Sequence, residues 1–135
     1  MEVKFSRRLD DLKSLLSRMK RRTDEIGTIL IYVGVVRGSR GEERVLRLEF
    51  EAEEAEMERW MSKLVRDVKA KYGLVDVIVQ HRSGAVKVGE DIMHVIVASK
   101  RRAEAFKALS EMIDRIKNES PLRRREITTG GSYTI

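Results

Sequence analysis

The apolar residues of this 135-residue chain keep changing their period, and each change limits what that segment can become. Leu9, Leu12, Leu16 and Met19 recur every three or four positions, with Leu15 beside them. That spacing predicts an amphipathic helix over residues 6–22. From Gly27 the period disappears. GTILIYVGVVRG is a continuous, β-branched apolar run, which predicts a strand buried on both faces. RVLRLEFE, residues 44–51, alternates, placing Leu46, Leu48 and Phe50 inward and Arg47, Glu49 and Glu51 outward. Helical spacing returns over 53–72 through Met57, Trp60, Met61, Leu64, Val65 and Val68. VDVIVQHR, GAVKV and DIMHVIVAS then read as strands, the last two joined by Gly89 and Glu90 in a tight hairpin. Ser99 is the expected N-cap of a third helix, with Ala105, Phe106, Leu109, Ile113 and Ile116 on its buried side. Pro121, the only proline, should stop that helix near Ser120.

The order αββαβββα with short connections predicts an α+β fold, a largely antiparallel sheet with three main helices. The length suits a single domain over residues 1–135. With no cysteine, disulfides, thiolate catalysis and zinc-thiolate sites are excluded. No metal-binding motif occurs either, and no cofactor is expected. No stretch approaches the roughly 18 apolar residues of a membrane span. MEVKFSRRLDD has no secretory h-region, so a cytoplasmic location is expected. The formal net charge of +6 favours anionic partners. A basic nucleic-acid-binding domain is one such reading, but the aromatic fraction of 5% gives little surface for stacking bases.

The basic residues cluster. Lys100, Arg101 and Arg102 stand where the third helix begins, although a helix N-terminus already carries partial positive charge. KNESPLRRRE places Lys117 and Arg123 to Arg125 around the proline corner, and Arg37 ends the first apolar run. Solvent, neighbouring acids or a bound anion could each offset the repulsion. In an extended segment Arg124 points away from Arg123 and Arg125. If a phosphate is the partner, Arg37, Arg102 and Arg124 should converge on one pocket. Of the two histidines, His94 interrupts an apolar strand as a core or edge residue would. His81 sits beside Arg82 at a strand end and reads as a turn element.

Taken in order, GTILIYVGVVRG, LEFEA, VQHRSGAVKVGE, ASKRRAEAF and IDRIKNESPLRRRE resemble the large, catalytic subunit of molybdopterin synthase. The most specific element is HRxGxxxVGE followed by a strand and the RAEAF helix. The resemblance implies an α/β hammerhead-like fold and a homodimer. It also implies a small ubiquitin-like subunit whose C-terminal Gly-Gly thiocarboxylate brings the sulfur. Together these would form a heterotetramer acting on cyclic pyranopterin monophosphate. Catalytic roles would fall to Lys117 and Arg124, and substrate binding to Arg37, Arg101, Arg102, Arg125 and Glu126.

Two positions depart from the family pattern. Arg101 stands where a histidine is usual, and Arg124 replaces a second lysine, with the aromatic pair of its usual setting also missing. Arginine stays protonated, so it can hold an oxyanion but cannot act as an amine nucleophile or base. Lys117 is then the only matching lysine for proton transfer or carbonyl attack. A non-catalytic anion-binding module of the same fold is the alternative reading.

Overall fold

The computed structural model describes residues 1–135. In chain order the elements are β1 (Glu2–Ser6), α1 (Leu12–Lys20), β2 (Thr28–Val35), β3 (Ser39–Arg40), β4 (Glu43–Glu51) and α2 (Glu54–Tyr72). They continue with β5 (Asp76–Arg82), β6 (Gly84–Lys87), β7 (Asp91–Ser99), α3 (Arg102–Glu119), β8 (Arg123–Thr128) and β9 (Ser132–Thr134). Two sheets result. The first has the order β1-β5-β7-β2; the second is built on β4, which pairs with β3, β6 and β8, and β8 carries β9. Every pairing is antiparallel except β1 with β5.

The core lies mainly on one face of the first sheet. Val77, Val79, Val95 and Val97 pack there with Met57, Met61, Leu64, Val65 and Val68 of α2 and Ala105, Ala108, Met112 and Ile116 of α3. The opposite face carries Ile78, Ile96 and Ala98 under Leu15 and Met19 of α1. Strands β5 and β7 are therefore the ones buried on both faces, as their near-continuous apolar sequences allow. Strand β2, expected in that place, is an edge strand instead, with Ile31 and Val35 exposed. A run of β-branched residues signals burial without saying which position in a sheet it takes.

Five further expectations give way to tertiary context. The first helix is shorter than predicted, because Glu2–Ser6 pair in parallel with β5 and bury Phe5. Asp11 caps the shortened helix, its carboxylate accepting from Ser14 N at 3.2 Å. The loop before it is held to β5 by Gln80, which accepts from the Asp10 amide at 2.8 Å and donates to the Asp10 carboxylate at 2.9 Å. Leu46 faces solvent, because the β4–β8 register shifts between Val45 and Arg47 and leaves it as the extra residue of a bulge. Gly89 and Glu90 do make a turn, with Glu90 N donating to Lys87 O at 3.0 Å. However, β6 pairs with β4 rather than β7, so that turn joins two sheets and is no hairpin. Finally, Arg101 holds the cap position of α3 without a side-chain cap bond, and Ser99 Oγ donates to the Arg101 carbonyl. Phe106 is 60% exposed, because the smaller Ala105 and Ala108 form the buried stripe.

One glycine is fixed by close approach. Gly27 donates its N–H to Ser99 O at 3.0 Å, and a Cβ there would lie 2.2 Å from the backbone oxygen of Lys100. Backbone on both sides leaves no flexible group to yield. Gly27→Ala should lower the unfolding free energy by about 1–3 kcal/mol, measured by urea denaturation. An unchanged midpoint would mean the two segments separate readily.

Candidate active site

Pro121 ends α3 and turns the chain into β8. In β8 the exposures alternate: Arg123 and Arg125 are exposed, and Arg124 is half-buried opposite Phe50 of β4. Arg123 reaches Glu51 at 3.3 Å, and Arg125 donates to Ser132 Oγ at 2.6 Å. Arg124 enters a cavity of about 210 Å³ walled by Tyr32, Gly34, Val35, Leu48, Phe50, Ile92, Met93, Ile116 and Ile135. Lys117 and His81 line the same cavity. Lys117 arrives from the last turn of α3, whose end is tied by Ser120 Oγ donating to Ile116 O at 2.7 Å. A wider depression of about 510 Å³ lies between the Arg7–Leu12 segment, Arg82 and His94, but its acids are engaged with Lys4, Arg18, Arg82, His94 and the Ser14 amide.

Two cations face this cavity. Neither Lys117 nor Arg124 belongs to any of the chain's ion pairs. Burial pushes the Arg124 guanidinium below the ordinary arginine range, and its Nε is buried with no hydrogen-bond partner. A half-buried cation left unpaired is costly unless an anion completes it. Its natural complement is a carboxylate, thiocarboxylate or phosphate, which guanidinium can hold through two parallel donors.

His81, read from sequence as a turn element, is instead a buried wall of this cavity. Its ring lies 4.9 Å from that of Phe50, edge-on, and 6.0 Å from that of Phe5. Burial above all, with Arg124 adding its charge, lowers its pKa to about 4, although a hydrogen bond with the Arg82 carbonyl opposes the shift. The only sequence signal for it was the HR pair within HRxGxxxVGE. His94 is also buried; its Nε2 lies 2.7 Å from the Asp91 carboxylate, and its Nδ1 has no partner.

The other sequence-derived residues lie elsewhere. Arg37 is exposed just beyond β2, two positions past the cavity residue Val35, and is itself no part of the lining. Arg102 opens α3, and the helix rise of about 1.5 Å per residue puts it on the order of 22 Å from Lys117. One chain therefore does not gather Arg37, Arg102 and Arg124 into a single pocket. Arg101 is exposed beside Arg102. Glu126 is buried and accepts from Arg40 at 3.0 Å, while Arg40 lies over the Tyr133 ring at 4.0 Å. It shares a face of β8 with Arg124 and reaches the second sheet, not the cavity.

Buried neutral His81 makes stability depend on pH. Its folded pKa, about 4, lies below the unfolded value of about 6.5. The unfolded state therefore binds the proton first, and stability complete above about pH 6.5 is lost as pH falls towards 4. The wild-type chain should lose about 3 kcal/mol more than His81→Phe over that window, read from urea unfolding at pH 7 and pH 4. Parallel losses in the two proteins would show that His81 takes up its proton without unfolding cost.

The family model described as MoaE protein matches residues 8–119. A probable molybdopterin synthase of Haloferax volcanii is 34% identical over 128 residues, covering 92% of this chain and 49% of that protein. The chain thus spans about half of that relative. A molybdopterin synthase catalytic subunit of Pyrococcus abyssi is 32% identical over 109 residues, covering 81% of this chain and 74% of its own. Among solved structures, a molybdopterin synthase from Staphylococcus aureus superposes with a TM-score of 0.86 at 21% identity, covering 98% of this chain and 95% of that one. A chain in a complex of subunits 1 and 2 of molybdopterin-converting factor from Helicobacter pylori superposes at 0.77 and 20% identity, covering 98% and 88%. The structural likeness carries the fold. With the match running through most of the sequence, from the loop before α1 to the end of α3, the chain belongs to the MoaE protein family.

Proposed function

We propose that the chain is the sulfur-transferring, catalytic subunit of a molybdopterin synthase. The observation that carries this reading is the pairing of Lys117 and Arg124, both without acidic partners, in one small cavity of a MoaE-family fold. The substrate is cyclic pyranopterin monophosphate. The sulfur donor is the C-terminal Gly-Gly thiocarboxylate of a small ubiquitin-like subunit, and two transfers build the dithiolene. The complex of two converting-factor subunits from Helicobacter pylori supports a partner of this kind. At about 210 Å³ the cavity is smaller than the roughly 300–1,000 Å³ usual for small-molecule sites. It suits a reacting end and a tail without side chains better than two whole reactants.

In this reading Arg124 holds an oxyanion, and Lys117 carries a proton or attacks the thiocarboxylate carbonyl, breaking its C–S bond so that the sulfur leaves as hydrosulfide. Arg37, Arg101, Arg102 and Arg125 supply further positive charge to the phosphorylated substrate, and Glu126 supports β8. Since α3 separates Arg102 from Lys117 along its own length, a site using both needs a second copy. The proposed homodimer supplies one, and the exposed Ile31 and Val35 on edge strand β2 give it apolar surface to bury. The domain is taken as one unit over residues 1–135. No helix is long and apolar enough to cross a membrane, which accords with a cytoplasmic enzyme.

Single-turnover dithiolene formation with saturating thiocarboxylated partner tests the assignment. Lys117→Ala should lower the rate at least about 100-fold while leaving folding and partner binding intact. Arg124→Ala should act on KM more than on kcat, raising KM about tenfold. Arg124→Lys should preserve activity or raise it. Turnover that survives in Lys117→Ala removes Lys117 from the mechanism. A wild-type chain without turnover, rescued by Arg124→Lys, identifies a binding module.

A further inference from the structure

We propose that His81 is a specificity-determining contact, its Nε2 accepting a hydrogen bond from an N–H of whatever anion occupies the Lys117–Arg124 cavity. The ring is held in place first. His81 ends central strand β5, is 3% exposed, and is braced by Phe5 and Phe50. Its Nδ1 lies 2.7 Å from the Arg82 carbonyl oxygen. A carbonyl can only accept, so Nδ1 carries the proton and Nε2 of the neutral ring presents a bare lone pair. The ring's only hydrogen bond within the chain is the one at Nδ1, and Nε2 is not among the sealed, unpartnered atoms, so it stays open to an occupant. The low pKa keeps the ring neutral around pH 7, so the acceptor persists.

The neighbours make this lone pair unusual. Lys117 and Arg124 offer only donors, and the Tyr32 hydroxyl can act either way. The cavity thus combines donors for negative charge with one side chain that can only accept. A simple anion satisfies the cations and leaves Nε2 unmatched. An anion that also carries an amide-type N–H satisfies both. Discrimination of this sort arises once an occupant excludes water from Nε2, because a polar group then sealed without a partner costs more than a lost apolar contact.

The inference rests on the proposed function, which supplies two molecules of this chemistry. The Gly-Gly tail joins a terminal negative charge to peptide N–H groups, and the pterin joins a phosphate to ring N–H groups. His81→Phe keeps the ring packed between Phe5 and Phe50 and removes the acceptor. His81→Gln places an amide oxygen near the position of Nε2. Two measurements separate the sources: calorimetric affinity for the Gly-Gly-ended small subunit without pterin, and KM for the pterin precursor at saturating small subunit.

At pH 7, His81→Phe should weaken one of the two about tenfold or more and leave the other within about twofold, with His81→Gln recovering most of the loss. Loss in small-subunit affinity assigns the tail N–H, and loss in KM the pterin N–H. In the wild-type protein, the Nε2 nitrogen resonance should move upfield from its pyridine-like position when the same molecule is added; this readout decides even if His81→Phe does not fold. An unmoved resonance, wild-type values in a folded His81→Phe, or equal losses in both variants would overturn the inference while leaving the enzyme assignment standing. A wild-type chain that binds neither molecule would overturn both.

Discussion

The register between β4 and β8 is the constraint on which the rest of the site depends. Phe50 lies opposite Arg124, which turns that guanidinium into the cavity and leaves Arg123 and Arg125 outside. A slip of one residue would reverse all three. A polar cluster at the far end of the second sheet holds the register. Glu126 pairs with Arg40, Arg40 covers Tyr133, and the Tyr133 hydroxyl donates to Glu43 at 2.8 Å. Thr128 donates to the same carboxylate. Glu126 thus bears on the cavity through the strand that carries Arg124, without touching it.

Three consecutive arginines therefore serve three different ends. Arg123 forms an exposed ion pair, and such pairs contribute little to stability. Arg125 engages Ser132 on β9. Only Arg124 is left half-buried and uncompensated, beside the unpaired Lys117. Desolvation of that cation works against folding, and an anion bound beside it would offset the cost. The same cation also helps keep His81 neutral, so charge and acceptor in the cavity are physically linked.

Much of this was legible in the sequence. The α2 stripe was read correctly at Met57, Met61, Leu64, Val65 and Val68 because a helix against a sheet preserves its 3.6-residue period. Pro121 marked the end of α3, and the alternation of Arg123, Arg124 and Arg125 followed from strand geometry alone. What could not be read were pairings between distant segments. Nothing local in EVKFS announces a parallel partner, and a bulge at Leu46 exists only relative to β8. His81 was hidden for the same reason: its role comes from Phe5, Phe50 and Arg124, which lie on three other strands. The family pattern pointed to Lys117 and Arg124, and the fold shows why the two meet.

The clamp that sets the register also dictates when the site can form. Arg40 and Glu126 are separated by 86 residues, and Glu43 and Tyr133 by 90. Closing loops of that length costs entropy before any contact repays it. Strands β5 and β7, separated by a short connection, can pair early and collect α2 and α3. The strand bearing Arg124 can dock only once α3 has been laid down, so the cavity is a late product of the folding reaction. During synthesis everything through α3 must emerge before β8 and β9 can close the cavity, and until then the first sheet stands without it.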